Sequence, residues 1–212
     1  MIASDNALLE GDLAIPTEAQ ALVIFAHGSG SSRFSPRNRA VAGMLNEGGL
    51  GTLLMDLLTP KEQAQDEPTG HLRFNIELLS ERLVSAIDWA GQSERGRDLR
   101  LGLFGASTGA AGALVAAAQR PTEVGAVVSR GGRPDLAGGY LQMVQAPVLL
   151  IVGSLDAQVI QMNEEAAQML PVEHQVHIVE GATHLFEEPG KLDEVADLAR
   201  RWFQRYLLVE RA

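Results

Sequence analysis

Six apolar runs of strand length recur along the chain, at residues 22–26, 51–55, 99–104, 124–129, 148–152 and 175–179, and between them lie segments whose apolar residues repeat at helical spacing. Runs with few polar interruptions suit strands buried on both faces, the condition of a parallel sheet whose crossovers are helices. Successive βα units in one sheet cross over with one hand and cover both faces. The expected fold is therefore α/β, a mostly parallel, doubly wound sheet with helices on both faces. The punctuation agrees. Ser35-Pro36 offers an N-cap and a first helical position ahead of Val41, Met44 and Leu45, and Gly48-Gly49 closes that helix. Leu79, Leu83, Ile87 and Ala90 stand at helical spacing before Gly91, and Val195, Leu198, Ala199, Trp202, Phe203 and Tyr206 form a core-facing stripe on the last helix. Residues 8–15, ended by Pro16, are expected to make an early antiparallel strand or pair at the sheet edge. The connection at residues 58–73 is long enough for a lid but polar, with two prolines. No space is left for a cap domain, and residues 1–212 read as one domain.

In such sheets active sites lie beyond the carboxyl ends of the strands. Directly after the run at 99–104 comes Gly105-Ala106-Ser107-Thr108-Gly109, followed by a helix of small residues at 110–119. A sharp turn from strand to helix would hold Ser107 in a strained conformation with its hydroxyl exposed at a helix N-terminus, where developing negative charge is favoured. Ser93, in Gly91-Gln92-Ser93-Glu94-Arg95, has a similar pattern but no strand before it, so it reads as a solvated loop. A serine hydroxyl needs a neighbouring base, the ordinary work of histidine. Among five histidines, His184 follows the last strand, whereas His174 and His177 lie on or beside that strand and His71 is in a polar loop. The base needs a carboxylate to fix its tautomer; Asp156 comes straight after the run at 148–152, with Asp135 in reserve. Thr108 N–H and Ser29 N–H, the latter in His27-Gly28-Ser29-Gly30, are the candidate donors to an oxyanion.

Three further residues are candidates for substrate contact. His27 follows the first run, where it shapes the adjacent loop. Arg130 and Arg133 bracket Gly131-Gly132 after the run at 124–129, and guanidinium forks suit carboxylates. The competing account is that these arginines pair with surface carboxylates such as Asp135. The loop Gly28-x-Gly30 could instead cradle a dinucleotide phosphate, but Arg33 stands where the third glycine of that motif belongs.

These residues together resemble the dienelactone hydrolase-like branch of the α/β-hydrolase superfamily, from about Leu22 to Leu207, with the stretches 27–39, 105–114 and 129–136 similar to small members that occur alone or fused to phosphoribosyltransferase domains. No such second domain is expected within these residues. The order Ser107, Asp156, His184 is the order of that superfamily. The resemblance implies hydrolysis of esters or lactones through an acyl-enzyme, without cofactor or metal. Dienelactone hydrolase itself carries cysteine at the nucleophile, and Ser107 stands here, so a general carboxylesterase is the expectation and dienelactone specificity is not carried over.

Composition narrows the alternatives. The chain has no cysteine, which excludes disulfides, thiolate metal sites and a cysteine nucleophile. A net charge of −10 with scattered basic residues disfavours nucleic acid and anionic membranes. The longest apolar runs are too short to cross a bilayer, and residues 1–10 lack a basic segment followed by an apolar one; a cytoplasmic location is expected. A small, soluble ester or lactone is the expected partner. Thioesters or short peptides would use the same machinery, and two readings from other classes stand beside it: a receptor that keeps fold and triad without turnover, and a phosphate-binding module built on residues 27–30.

Overall fold

Successive side chains of a strand point to opposite sides of a sheet, and a strand apolar at every position must be covered on both. In the computed structural model, which describes residues 1–5 and 7–208, that covering is achieved by helices. The chain opens with β1 (Ile2–Ser4), β2 (Ala7–Leu9) and β3 (Gly11–Ala14), then β4 (Ala21–Ala26), α1 (Pro36–Glu47), β5 (Gly51–Met55), α2 (Pro60–Asp66) and α3 (Ile76–Gln92). It continues through β6 (Arg100–Ala106), α4 (Thr108–Gln119), β7 (Val124–Arg130), a 3₁₀ segment (Pro134–Met143), β8 (Val148–Gly153), α5 (Ala157–Ala167), β9 (His174–Val179) and α6 (Lys191–Leu207). Seven strands form the main sheet in the order β3-β5-β4-β6-β7-β8-β9, all parallel except β3, which runs antiparallel to β5. No described helix is long and apolar enough to cross a membrane.

The two faces are legible in β4. Leu22, Ile24 and Ala26 join the core under α3 and α4, while Ala21, Val23 and Phe25 join the core under α1 and α6. The stripe on α6 seats Val195, Ala199, Trp202 and Phe203 against the second of these cores. Phe203 needs a gap in the sheet. Gly102 supplies it, since a Cβ there would fall 2.7 Å from the Phe203 ring and 2.9 Å from Leu207.

Two expectations change in detail. The segment expected as one edge strand or pair over residues 8–15 is divided: β2 pairs with β1 in a separate antiparallel two-stranded sheet, and only β3 joins the main sheet. The connection 58–73, expected only as a long polar link, contains a short helix. Thr59 and Glu62 form a reciprocal capping box that starts α2 at Pro60, and buried Asp66 accepts from Leu72 N–H at 2.6 Å and from the Arg73 guanidinium, closing the chain toward α3. Its helical signal is only seven residues long and lacks an apolar stripe.

His27 ties the ends of β4 and β5 together. Its Nε2 accepts from Leu57 N–H at 3.1 Å and its Nδ1 lies 2.9 Å from Gly28 O, so the hydrogen-bond network selects the neutral tautomer protonated at Nδ1. Burial lowers its pKa, with the Gly28 carbonyl and the Asp56 charge opposing. On the other side of the loop, Asp56 accepts from Arg33 N–H at 2.8 Å and pairs with the Arg33 guanidinium, which also reaches Glu10. The residue that spoils the dinucleotide motif is thus a structural anchor.

Two outcomes follow from this packing. Gly102→Ala should lower stability by about 1–3 kcal/mol through overpacking, read as a lower urea midpoint with an unchanged m-value, and the loss should shrink when Phe203 is also replaced by Leu. For His27 the unfolded chain takes up a proton more readily than the folded one, so stability is present above about pH 6.5, the ordinary imidazole value, and is lost as pH falls through the lowered folded value. His27→Gln should flatten that slope relative to the parent; an identical slope in both proteins would show that His27 is not its source.

Candidate active site

Ser107 sits between the last residue of β6 and the first of α4 with φ 51° and ψ −122°, a left-handed-side conformation that costs about 1–3 kcal/mol for a residue with a side chain. Its neighbours make it possible. A Cβ at Gly105 would lie 2.4 Å from Ala110 Cα, and one at Gly109 would lie 2.4 Å from Ala26 O and 2.5 Å from His27 O. The first turn of α4 therefore rests directly on strand ends, and only glycine fits at either position. Ser107 N–H donates to Arg130 O at 3.2 Å, and Arg133 N–H donates to Ser107 O at 3.1 Å, fastening the turn to the end of β7. Gly28 presses on its other side, where a Cβ would stand 3.1 Å from Ser107 Cβ.

The loops after β8 and β9 are zipped to each other. Ser154 N–H donates to Val179 O, Leu155 N–H to Ala182 O and Gly181 N–H to Ser154 Oγ, and a Cβ at Gly153 would lie 2.3 Å from Ala182 O. This brings Asp156 to His184: Nδ1 is 2.6 Å from Asp156 Oδ2. The His184 loop is held beyond that point by Glu188, which accepts from Thr183 Oγ1 at 2.6 Å and from Thr183 N–H at 3.2 Å, and by Phe186, buried in the core with φ 57°. Those bonds hold the Glu188 carboxyl below its ordinary range.

Ser107 and His184 line one cavity of about 230 Å³. They make no hydrogen bond to each other, a spacing common in a site without substrate. A second cavity, about 420 Å³, lies beyond the loop of residues 28–31 and reaches Thr108 but not Ser107; α2 walls its far side. The two share Gly28, Ser29 and Ser31, so this loop is the partition between them.

The remaining candidates fall in different places. Thr108 N–H is at the first position of α4, where no intrahelical acceptor exists. Ser29 N–H donates to Thr108 Oγ1 at 3.0 Å, so the two residues chosen as oxyanion donors are in contact. His27 borders the larger cavity but acts as the strut already described. Arg133 does not join the Ser107 cavity; its Nε and Nη2 donate to the two oxygens of Asp135 at 2.9 and 2.7 Å, which satisfies the fork and also removes Asp135 as a reserve partner for histidine. His174 bonds Val172 O, His177 lies 3.9 Å from Glu194, and His71 bonds Thr69, all away from Ser107. Arg130 lines the Ser107 cavity and is almost wholly buried; burial, and then the Arg37 charge, bring its guanidinium down to about 10. Arg37 and Asn38, in the first turn of α1, line the same cavity and carried no signal in the sequence, where they read as ordinary polar helix residues. Among the described residues no group of three or more His, Asp or Glu is placed to hold a metal ion.

Comparisons with known proteins bear on the fold and the family. A crystal structure of a dienelactone hydrolase from Anabaena variabilis is 55% identical, covers 98% of this chain and 96% of its own, and superposes with a TM-score of 0.96. Est1E from Butyrivibrio proteoclasticus shares the fold at 16% identity, with a TM-score of 0.79 over 96% of each chain. A curated relative from Mycobacterium tuberculosis, named as a phosphoribosyl transferase, is 51% identical over 197 residues; these are 93% of this chain but 44% of the relative, so the chain spans less than half of that protein. The family model described as the dienelactone hydrolase family matches residues 9–208, and with the sheet order and the strand-to-helix serine turn already in place, the chain belongs to that family of α/β-hydrolases.

Proposed function

We propose that the chain is a serine hydrolase of carboxylic esters or lactones in which Ser107 is the nucleophile, His184 its base and Asp156 the residue that orients the base. The observation that carries this reading is the 2.6 Å contact of His184 Nδ1 with Asp156 on a ring that borders the same cavity as the strained Ser107. Asp156 fixes Nδ1 as the protonated nitrogen and leaves Nε2 free to accept.

In the proposed cycle Ser107 Oγ attacks the ester carbonyl while Nε2 of His184 takes its proton. The tetrahedral oxyanion accepts from Thr108 N–H and from Ser29 N–H, which exchanges Thr108 Oγ1 for the stronger, charged acceptor. Collapse breaks the bond to the alcohol oxygen, and His184 returns the proton to it. Water, deprotonated by the same nitrogen, then attacks the acyl-enzyme and regenerates Ser107. In a lactone the departing oxygen stays tethered to the acyl group and the product is a hydroxy acid. Neither a metal nor a cofactor enters this cycle.

A fluorophosphonate should label Ser107, and Ser107→Ala should lower kcat for p-nitrophenyl acetate by about 10⁴–10⁶ without shifting the unfolding midpoint. Asp156→Asn should cost about 10⁴ by releasing the wrong tautomer. Labelling at another serine would end the assignment. No turnover across a panel of esters, with Ser107 unlabelled, would leave a binding protein on the same scaffold.

A further inference from the structure

Arg130 is 7% exposed, and its Nε and Nη1 have no hydrogen-bond partner; its Nη2 reaches only the neutral Asn38 Oδ1, at 3.5 Å. Arg82, buried to the same degree, shows what this chain does with a structural arginine: it meets Glu62 at 2.8 Å and Ser4 O at 2.8 Å, and only its Nε is left without a partner. Arg33, Arg73 and Arg133 likewise sit against carboxylates. A buried guanidinium without a counter-charge is unfavourable unless something else completes it.

Among the described residues the polar side chains around it in the cavity are basic or neutral, with Ala106 and Leu185 beside them. Arg37 lies near enough to repel it, and although Arg37 Nη1 is bonded to exposed Glu187, Arg37 Nε is buried and unpartnered. The cavity also receives the N-terminus of the twelve-residue α1, whose N-cap Ser35 and first-turn Asn38 line it together with Ser31. Among the described residues no aspartate or glutamate borders it. A carboxylate, planar and singly charged, would be satisfied by one guanidinium fork. Here a second cation, the Arg37 N–H in a first turn where Pro36 has no N–H and Ser35 Oγ takes that of Asn38, and the Ser31 and Ser35 hydroxyls remain, more donors than a carboxylate uses and enough for a three-oxygen, doubly charged group.

We propose that Arg130, Arg37 and the first turn of α1 form a phosphate subsite beside Ser107, and that the substrate is an ester carrying a phosphate monoester group a few atoms from its scissile carbonyl. This deepens the esterase reading and rests on it for the word substrate; the anion site itself does not.

The test uses inorganic phosphate as a probe and three acetate esters of similar size, at constant ionic strength. Phosphate should raise the thermal midpoint and compete with ester hydrolysis, as a ligand of the folded state does. The phosphorylated ester, 2-acetoxyethyl phosphate, should be hydrolysed with a specificity constant about tenfold or more above those for 2-acetoxyethanol and 3-acetoxypropanoate, chiefly through a lower Michaelis constant, the worth of one charge-assisted contact. Arg130→Met should be at least as stable as the parent without phosphate, should lose the phosphate-dependent rise in midpoint, and should cut the preference for the phosphorylated ester by about tenfold. Arg37→Gln, at a half-exposed position, should weaken phosphate binding without endangering the fold. If 3-acetoxypropanoate matches the phosphorylated ester, the site is a carboxylate site and the proposal fails. Failure also follows if phosphate changes neither midpoint nor rate, or if Arg130→Met simply destabilises the protein while phosphate still binds Arg37→Gln as it binds the parent. If no ester is hydrolysed but phosphate binding depends on both arginines, the esterase reading falls and the phosphate site stands.

Discussion

The arrangement at the carboxyl edge of the sheet depends on how closely the first turn of α4 lies on the ends of β4 and β6. At Gly105 and Gly109 the distance from an added Cβ to backbone would be 2.4 Å in each case, well inside contact. Because the helix cannot back away without uncovering Leu114 and its neighbours from the core, the chain between strand and helix must turn within one residue, and Ser107 takes the positive φ that this demands. Packing energy holds the strain. The same turn fixes what surrounds it, since Ser107 exchanges backbone bonds with Arg130 and Arg133 after β7 and Gly28 abuts it from the end of β4. Loops from separate strands therefore converge on one side chain because of two missing Cβ atoms.

Much of this was legible because its signals are local. Strands buried on both faces show as unbroken apolar runs, and the six expected runs overlap β4 to β9 to within two residues at their ends. The serine turn shows as two glycines at fixed offsets; Ser107 comes directly after β6, and Asp156 and His184 stand in the loops that follow β8 and β9. What was not legible depends on distances across the sheet. Nothing in the sequence distinguishes Arg130 from Arg133, three residues apart; the structure buries one beside the Ser107 cavity and gives the other to Asp135, two residues on. Arg37 and Asn38 acquire their place only because α1 begins opposite the end of β7. The capping box of α2 was present in sequence as Thr59 and Glu62, yet a helix without an apolar stripe gives no periodicity to read.

The charge distribution follows the same division. A chain of net charge −10 has carboxylates to spare, and it spends several on arginines that pin loops: Asp56 and Glu10 on Arg33, Asp66 on Arg73, Asp88 on Arg120. These pairs are partly buried and bidentate or multiply bonded, so they are worth more than exposed ion pairs. The cavity beside Ser107 is the exception: among the described residues no aspartate or glutamate lines it, Arg130 meets no carboxylate, and Arg37 meets only the exposed Glu187. The lining beside the serine is thus locally basic in a chain whose overall charge is negative.

The loop of residues 28–31 has a consequence for how such a chain can change. It is a single wall with a room on either side, pinned at one end by His27 and at the other by Arg33. Moving it enlarges one room at the expense of the other. Selection acting on the fit of one end of a bound molecule would then alter the fit of the other end as a by-product, and the two preferences would drift together through descendants of this sequence rather than being adjusted one at a time.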